Sequence, residues 1–219
     1  FFPARWLPEA GGRGPAAVAD SLEHYADGTL GAVGPFDAVA CMNRVKRSAR
    51  GARDARTRGR LRSQMRAFGD IVQAHMGDLP SKHVAIAANA VGGQPGWGPL
   101  VEAAMERSVA IREPREWTAQ AVSMVVNALA KSPPRDGEAL RGALSHLASV
   151  AARVPGGAAE WGPQPLSVLA NGYARLGCRD EGVLEFVAEV AMSREGGYTA
   201  QSLGTLLNAY ARLGAANGD

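Results

Sequence analysis

The chain has 219 residues, 46% of them hydrophobic, with 24 basic and 21 acidic residues and a formal net charge of +3, enough apolar content to bury a sizeable core. Its two cysteines, Cys41 and Cys178, supply neither a disulfide framework nor zinc-ligand spacing nor a Cys-x-x-Cys pair. No apolar run approaches the roughly 18–20 residues that cross a bilayer, and no period-2 run of β-branched residues marks a strand. The expected class is therefore all-α, with no membrane span.

Residues 1–32 read as an N-terminal extension. Phe1-Phe2-Pro3 and Gly11-Gly12-Arg13-Gly14 are loop-like, and Ala16 to Tyr25 puts Val18, Leu22 and Tyr25 on one helical face. That segment is a candidate capping helix, the second helix of a preceding repeat. The first residue is not Met, so the true start, with any targeting peptide, is expected upstream.

From residue 33 the chain repeats. Trp161-Gly-Pro-Gln-Pro-Leu-Ser-Val-Leu-Ala-Asn-Gly-Tyr-Ala-Arg-Leu-Gly177 returns at 198–214, more weakly at 117–131, and again around Asn89 and Asn43. Repeats thus begin near residues 33, 79, 117, 161 and 198, and their asparagines (43, 89, 127, 171, 208) lie 46, 38, 44 and 37 residues apart. Such periods belong to stacked helical hairpins.

Take the residue that opens each repeat as position 0. Positions 5, 8, 9 and 12 are then Val122, Val125, Val126 and Leu129; Leu166, Leu169, Ala170 and Tyr173; Leu203, Leu206, Leu207 and Tyr210. This spacing is one buried helical stripe. Position 1 holds an N-cap residue, Gly34, Thr118, Gly162 or Thr199, with Pro35 and Pro163 starting their helices. Trp117, Trp161 and Tyr198 stand where hydrophobic staples would pair them with Val122, Leu166 and Leu203. Gly177 and Gly214 are expected just past their helices, and Pro133-Pro134 stops the third.

A second helix is expected after each of the first four. Leu61, Met65, Phe68 and Val72 mark one, and Leu100, Ala104, Met105 and Val109 the next. Leu140, Leu144, Leu147 and Ala151 follow an Asp136 cap, and Val183, Val187, Val190 and Ala191 follow an Asp180 cap. Residues 33–219 therefore read as an α–α superhelix, a solenoid of helix-turn-helix repeats in which neighbours must stack to bury their apolar faces.

Charge is distributed unevenly. Residues 44–66 hold Arg44, Lys46, Arg47, Arg50, Arg53, Arg56, Arg58, Arg60, Arg62 and Arg66 against Asp54 alone, a net of +9 that leaves −6 on the remainder. Arginine at this density suits a polyanion, because its planar fork matches phosphate oxygens and each phosphate contact releases counterions. The competing reading is a solvated helix face in an arginine-rich chain.

Positions 3, 10 and 14 form a second candidate surface away from the buried stripe. They read Gln120, Asn127, Lys131; Gln164, Asn171, Arg175; and Gln201, Asn208, Arg212. Stacking would align them in a Gln row, an Asn row and a basic row. One amide per repeat can read base edges, as in helical-repeat RNA readers, or asparagines on successive helices can form a structural ladder. Arg175 and Arg212 can hold phosphates or complement helix C-termini. The opening aromatics could stack on bases, although a staple position predicts burial. Trp6 and Trp97 fall outside the pattern.

Catalysis finds no support. His24, His75, His83 and His146 are scattered, without a His-Glu-x-x-His pair, a phosphate-binding Gly-rich loop or a nucleophile elbow. The expectation is a non-enzyme without cofactor, metal or small-molecule substrate.

The Trp/Tyr-x-x-Gln opening, the run from Leu203 to Gly214 and the 37–38-residue spacing resemble the octotricopeptide and heptatricopeptide repeat families. These are relatives of the pentatricopeptide proteins and are often found with RAP domains. The resemblance is closest at 161–177 and 198–214, extends to 117–131, and is marginal at 33–47 and 79–93. It implies an organellar protein acting on RNA in transcript maturation, in translation or as a mitochondrial ribosome subunit, in a mitochondrion or alternatively a plastid. Its partners would be RNA, ribosomal RNA first, and the other proteins of a large ribonucleoprotein. On this reading the RNA-contacting residues are Arg44, Arg47, Arg50, Arg53, Arg56, Arg58, Arg60 and Arg62, with Gln164, Asn171, Arg175, Gln201, Asn208 and Arg212. The alternative is a tetratricopeptide-like scaffold that binds protein alone.

Overall fold

The computed structural model describes residues 14–27, 32–194 and 196–214. Among them ten α-helices and a few short 3-10 turns make up all the regular structure, and no strand occurs. Each repeat asparagine lies on its own helix: α2 (Pro35–Ala49), α4 (Ser81–Val91), α6 (Ala119–Lys131), α8 (Pro163–Leu176) and α10 (Ala200–Gly214). The predicted second helices are α3 (Ala55–Ala74), α5 (Gly98–Ala110), α7 (Gly137–Ala151) and α9 (Glu181–Met192), and α1 (Pro15–Ala26) precedes them all. Phe1–Arg13, including Trp6, lie outside the described residues.

Local chemistry sets these boundaries. The Thr118 and Thr199 hydroxyls accept from the N–H groups of Ala121 and Ser202, each at 3.1 Å. Gly34 and Gly162 take the extended N-cap conformation ahead of Pro35 and Pro163. Asp54, Asp136 and Asp180 cap α3, α7 and α9 through carboxylate bonds to the N–H groups of Thr57 (2.7 Å), Glu138 and Ala139 (2.9 and 3.0 Å) and Val183 (3.0 Å). Each such cap satisfies donors that the first turn leaves unpaired. Gly177 ends α8 at φ +63°, where a side chain would be strained, and Cys178 N–H closes the turn on Tyr173 O at 3.0 Å. Gly214 differs from expectation: it is still the last residue of α10.

The chain divides into two compact units, Phe1–Leu79 and Pro80–Asp219, so α1 belongs with α2 and α3. In the first unit these three helices pack pairwise. Val18 and Leu22, Ala38, Cys41, Met42 and Val45, and Leu61, Met65, Phe68 and Val72 are all buried. Burial, with Asp37 nearby, pushes the Cys41 thiol up to about 12, so it sits in the core as a small neutral side chain. Buried Gln64 donates from Nε2 to Ala19 O at 2.7 Å, fastening α3 to α1.

In the second unit the first helices pack in succession, α4 on α6, α6 on α8 and α8 on α10, and the second helices do the same from α5 through α7 to α9. The predicted stripes of α6 and α8 are buried throughout. Trp117 and Trp161 are buried as staples. The Trp117 indole N–H donates to Ile111 O at 3.1 Å, and Trp161 meets Phe186 edge-on with centroids 5.3 Å apart.

The repeat's tyrosine has a structural role. Tyr173 OH donates to Leu144 O on α7, and Tyr210 OH to Leu184 O on α9, both at 2.6 Å. In each case the position-12 hydroxyl ties a first helix to the second helix of the repeat before it.

Position 11 decides how closely first helices approach. It is Ala90, Ala128, Gly172 and Ala209 in α4, α6, α8 and α10, and all four are buried. A Cβ on Gly172 would collide with the Val126 side chain and lie 3.5 Å from its carbonyl carbon, while one on Gly92 would lie 3.1 Å from Ala128 Cα.

Several expected burials fail. Leu203 and Leu207, predicted to be buried in the α10 stripe, are 46% and 70% exposed, and Tyr198 is only half-buried. The cause is visible on α6, whose position-9 Val126 is covered by α8; no described helix takes that place on α10. Val109, expected inside, is also exposed near the end of α5.

Trp161→Ala is expected to cost about 3–5 kcal/mol in urea unfolding, the range for truncating a buried aromatic. Gly172→Ala tests the helix contact by its sign. Helix propensity alone would stabilise the protein by about 1 kcal/mol, whereas overpacking costs about 1–3 kcal/mol. A net loss in the same measurement, relieved by adding Val126→Ala, is the expected result.

Candidate nucleic-acid interface

The arginine segment spans the end of α2, the connecting turn and the first half of α3. Arg47 is in the last turn of α2, Arg50 is its C-cap residue, and Arg53 lies in the turn. Arg56, Arg58, Arg62 and Arg66 project from α3. All seven are exposed, while Arg44 and Lys46 are half-buried.

Arg60 and Asp54 are engaged within the first unit. Arg60 pairs with Asp20 (2.6 Å) and with Glu23, both on α1, so it is not a free phosphate contact as the sequence suggests. Those hydrogen bonds, Asp20 first, raise its pKa further. Asp54 caps α3, and the backbone N–H of Thr57, with Arg58 nearby, holds its carboxyl below the usual range. Asp20 and Glu23 precede Arg60 by 40 and 37 residues, about one repeat. Aligning α1 with α3 as equivalent second helices would have revealed the pairing.

Arg47, Arg50, Arg53, Arg56 and Arg62 have no ion pair among the described residues. Arg47 and Arg50 end α2, where a helix C-terminus favours cations, whereas the arginines of α3 stand less favourably. Arg56 and Arg58 occupy the first turn of α3, whose N-terminus carries partial positive charge and disfavours cations. Arg58, Arg62 and Arg66 follow at four-residue spacing, where like charges on a helix repel. The Asp54 carboxylate that caps α3 offsets the first effect in part; a further anion beside the Arg58–Arg66 row would relieve the second.

The polar face of the second unit is open as predicted. Gln120, Lys131, Gln164, Arg175, Gln201, Asn208 and Arg212 are exposed, and Asn127 and Asn171 are half-buried. Asn127 Nδ2 donates to Asn89 Oδ1 at 3.2 Å, and a Cβ on Gly93 would lie 3.5 Å from Lys131 Cβ. Positions 10 and 14 are therefore in register between α4 and α6. The amide ladder exists at that step, whereas the side chains of Asn171 and Asn208 make no hydrogen bond among the described residues. The last carbonyls of α10 receive a cation from elsewhere, since Arg179 donates to Leu213 O at 3.2 Å.

Trp117 and Trp161 are buried, which removes both from base stacking. Among the described residues no group of three His, Cys, Asp or Glu side chains could hold a metal ion, and no helix is long and apolar enough to cross a membrane. Compared with protein-family models and with curated proteins, the sequence matches none.

The two asparagine roles separate by stability. Asn127→Ala should cost about 0.5–1.5 kcal/mol, the net worth of an intramolecular hydrogen bond. Asn171→Ala should stay within about 0.5 kcal/mol of the parent. Urea titrations of both variants check this, and equal losses would make the whole row structural.

Proposed function

We propose that this chain is a non-catalytic RNA-contacting helical-repeat protein of organellar gene expression, most specifically a structural subunit of a mitochondrial ribosome. On this reading its hairpins continue as an α–α superhelix, supported by the successive packing of α4, α6, α8 and α10. The observation that carries the function is the set of exposed arginines at the α2–α3 turn that have no ion pair among the described residues. The organellar ribonucleoprotein context comes from the resemblance to octotricopeptide and heptatricopeptide repeats.

Residues 44–66 contain ten basic side chains and no aromatic one. Single-stranded binding leans on aromatic stacking platforms, whereas folded RNA is held by shape and backbone contacts. Folded RNA such as ribosomal RNA therefore fits the segment better, with contacts that position the protein without reading sequence. The exposed amides and cations of α8 and α10 form a second, separate surface for the same class of partner.

Replacing Arg47, Arg50, Arg53 and Arg56 with glutamine should flatten the log–log salt dependence of binding to a folded RNA by up to about 3–4 units. The Tm should hold, because all four side chains are exposed. Arg60→Gln serves as the contrast: it breaks a contact to α1 and should leave the slope nearly unchanged. An unaltered slope in the quadruple variant, or no RNA binding at low salt, would favour the protein-only scaffold.

A further inference from the structure

The exposed side of α3 has an order that its net charge does not show. Leu61, Met65, Phe68 and Val72 are buried where α3 packs on α1 and α2. The side opposite them is open, with Gly59 near its centre. Ala55 and Ser63, four residues either way, continue that crest, and all three are exposed. Arg56 and Arg62 stand three residues either way, which turns them about 60° to opposite sides of Gly59. A crest of small side chains thus runs between two exposed arginines that have no ion pair among the described residues. Arg58 adds to the side of Arg62, while Arg60, on the side of Arg56, is held by Asp20 and Glu23. Exposed Asp70 ends the basic stretch further along. A Cβ on Gly59 would meet nothing within 4 Å. Packing among the described residues therefore does not require glycine inside this 20-residue helix, where it is one of the poorest helix formers.

We infer, resting on the reading of the arginine segment as an RNA contact, that the Ala55–Gly59–Ser63 crest lies in the minor groove of an RNA duplex, with Arg56 on the phosphates of one strand and Arg62 on those of the other. The minor groove of A-form RNA is wide, shallow and lined by 2′-hydroxyls, so a low crest lets a helix backbone come close to it. Gly59 supplies that close approach, and Ser63 places a hydroxyl beside the sugar edges. Cations on both flanks match a groove bounded by two phosphate strands, whereas a single strand would need only one flank. Residues 44–66 also lack the aromatic platforms that single strands stack on. B-form DNA fits the crest less well, because its minor groove is only about 6 Å wide and carries no 2′-hydroxyl.

The test uses the full chain and three probes of one sequence: an RNA duplex, the matching DNA duplex and the single-stranded RNA. The RNA duplex is expected to bind at least ten-fold more tightly than either of the others. Gly59→Gln should weaken that binding at least five-fold while keeping the salt slope, since no charge changes. Its Tm should equal or exceed the parent's, because glutamine is the better helix former. Ser63→Gln is the second variant and should act in the same direction. Arg56→Gln combined with Arg62→Gln should instead lower the slope by about two log–log units. DNA duplex or single strand bound as tightly as the RNA duplex, or crest variants that bind like the parent, overturns the proposal. If the four-arginine variant still flattens the slope in that case, only the groove assignment falls and the RNA contact stands. Absence of salt-dependent binding to every RNA overturns the proposed function as well.

Discussion

The second unit depends on how closely its first helices approach one another. Helix axes pack about 8–10 Å apart, and side chains at the contact set the separation. Gly172 lies so close to Val126 that no Cβ fits without movement, and Ala128 lies against Gly92. Small residues at position 11 therefore set the stack. In the same packed stack the Asn127 amide meets Asn89, and the Tyr173 hydroxyl reaches Leu144 O inside the core. A larger residue at position 11 would separate the helices and put all of these contacts at risk.

That constraint explains why the motif keeps its particular composition. Tyr173 at position 12 is large and buried, yet its hydroxyl is satisfied by a helix carbonyl, so burial leaves no orphaned polar group. Burial also raises its pKa well above the usual phenol value, so the hydroxyl stays a donor. The indole at position 0 covers the start of its helix, and Arg194 donates to Trp161 O at 3.2 Å. The motif thus ties α8 to α7 and to the segment that follows α9.

Arginine has two distinct uses in this chain. Arg60, Arg179 and Arg194 bridge to carboxylates or backbone carbonyls within their own units. Exposed ion pairs contribute at most about 1 kcal/mol, so such contacts orient helices more than they stabilise them. Arg47, Arg50, Arg53, Arg56 and Arg62 make no such contact among the described residues, and like charges concentrated in one short segment repel one another.

The sequence alone determined the helices, because their signals are local. Caps at Thr118, Asp136 and Asp180, proline at Pro35 and Pro163, and the stripe through Val122, Leu166 and their neighbours act within one or two turns. It also located the arginine segment, since ten cations within 23 residues are visible without a fold. Tertiary structure decided which of those cations are available: Arg60 and its partners on α1 are about 40 residues apart and meet only because α1 packs on α3. It likewise decided that Asn127 pairs with Asn89 while Asn171 does not, and that Leu207 stays exposed where Val126 is buried. The physical reason is that periodicity reports which side of a helix is apolar, whereas burial depends on whether another helix lies against that side.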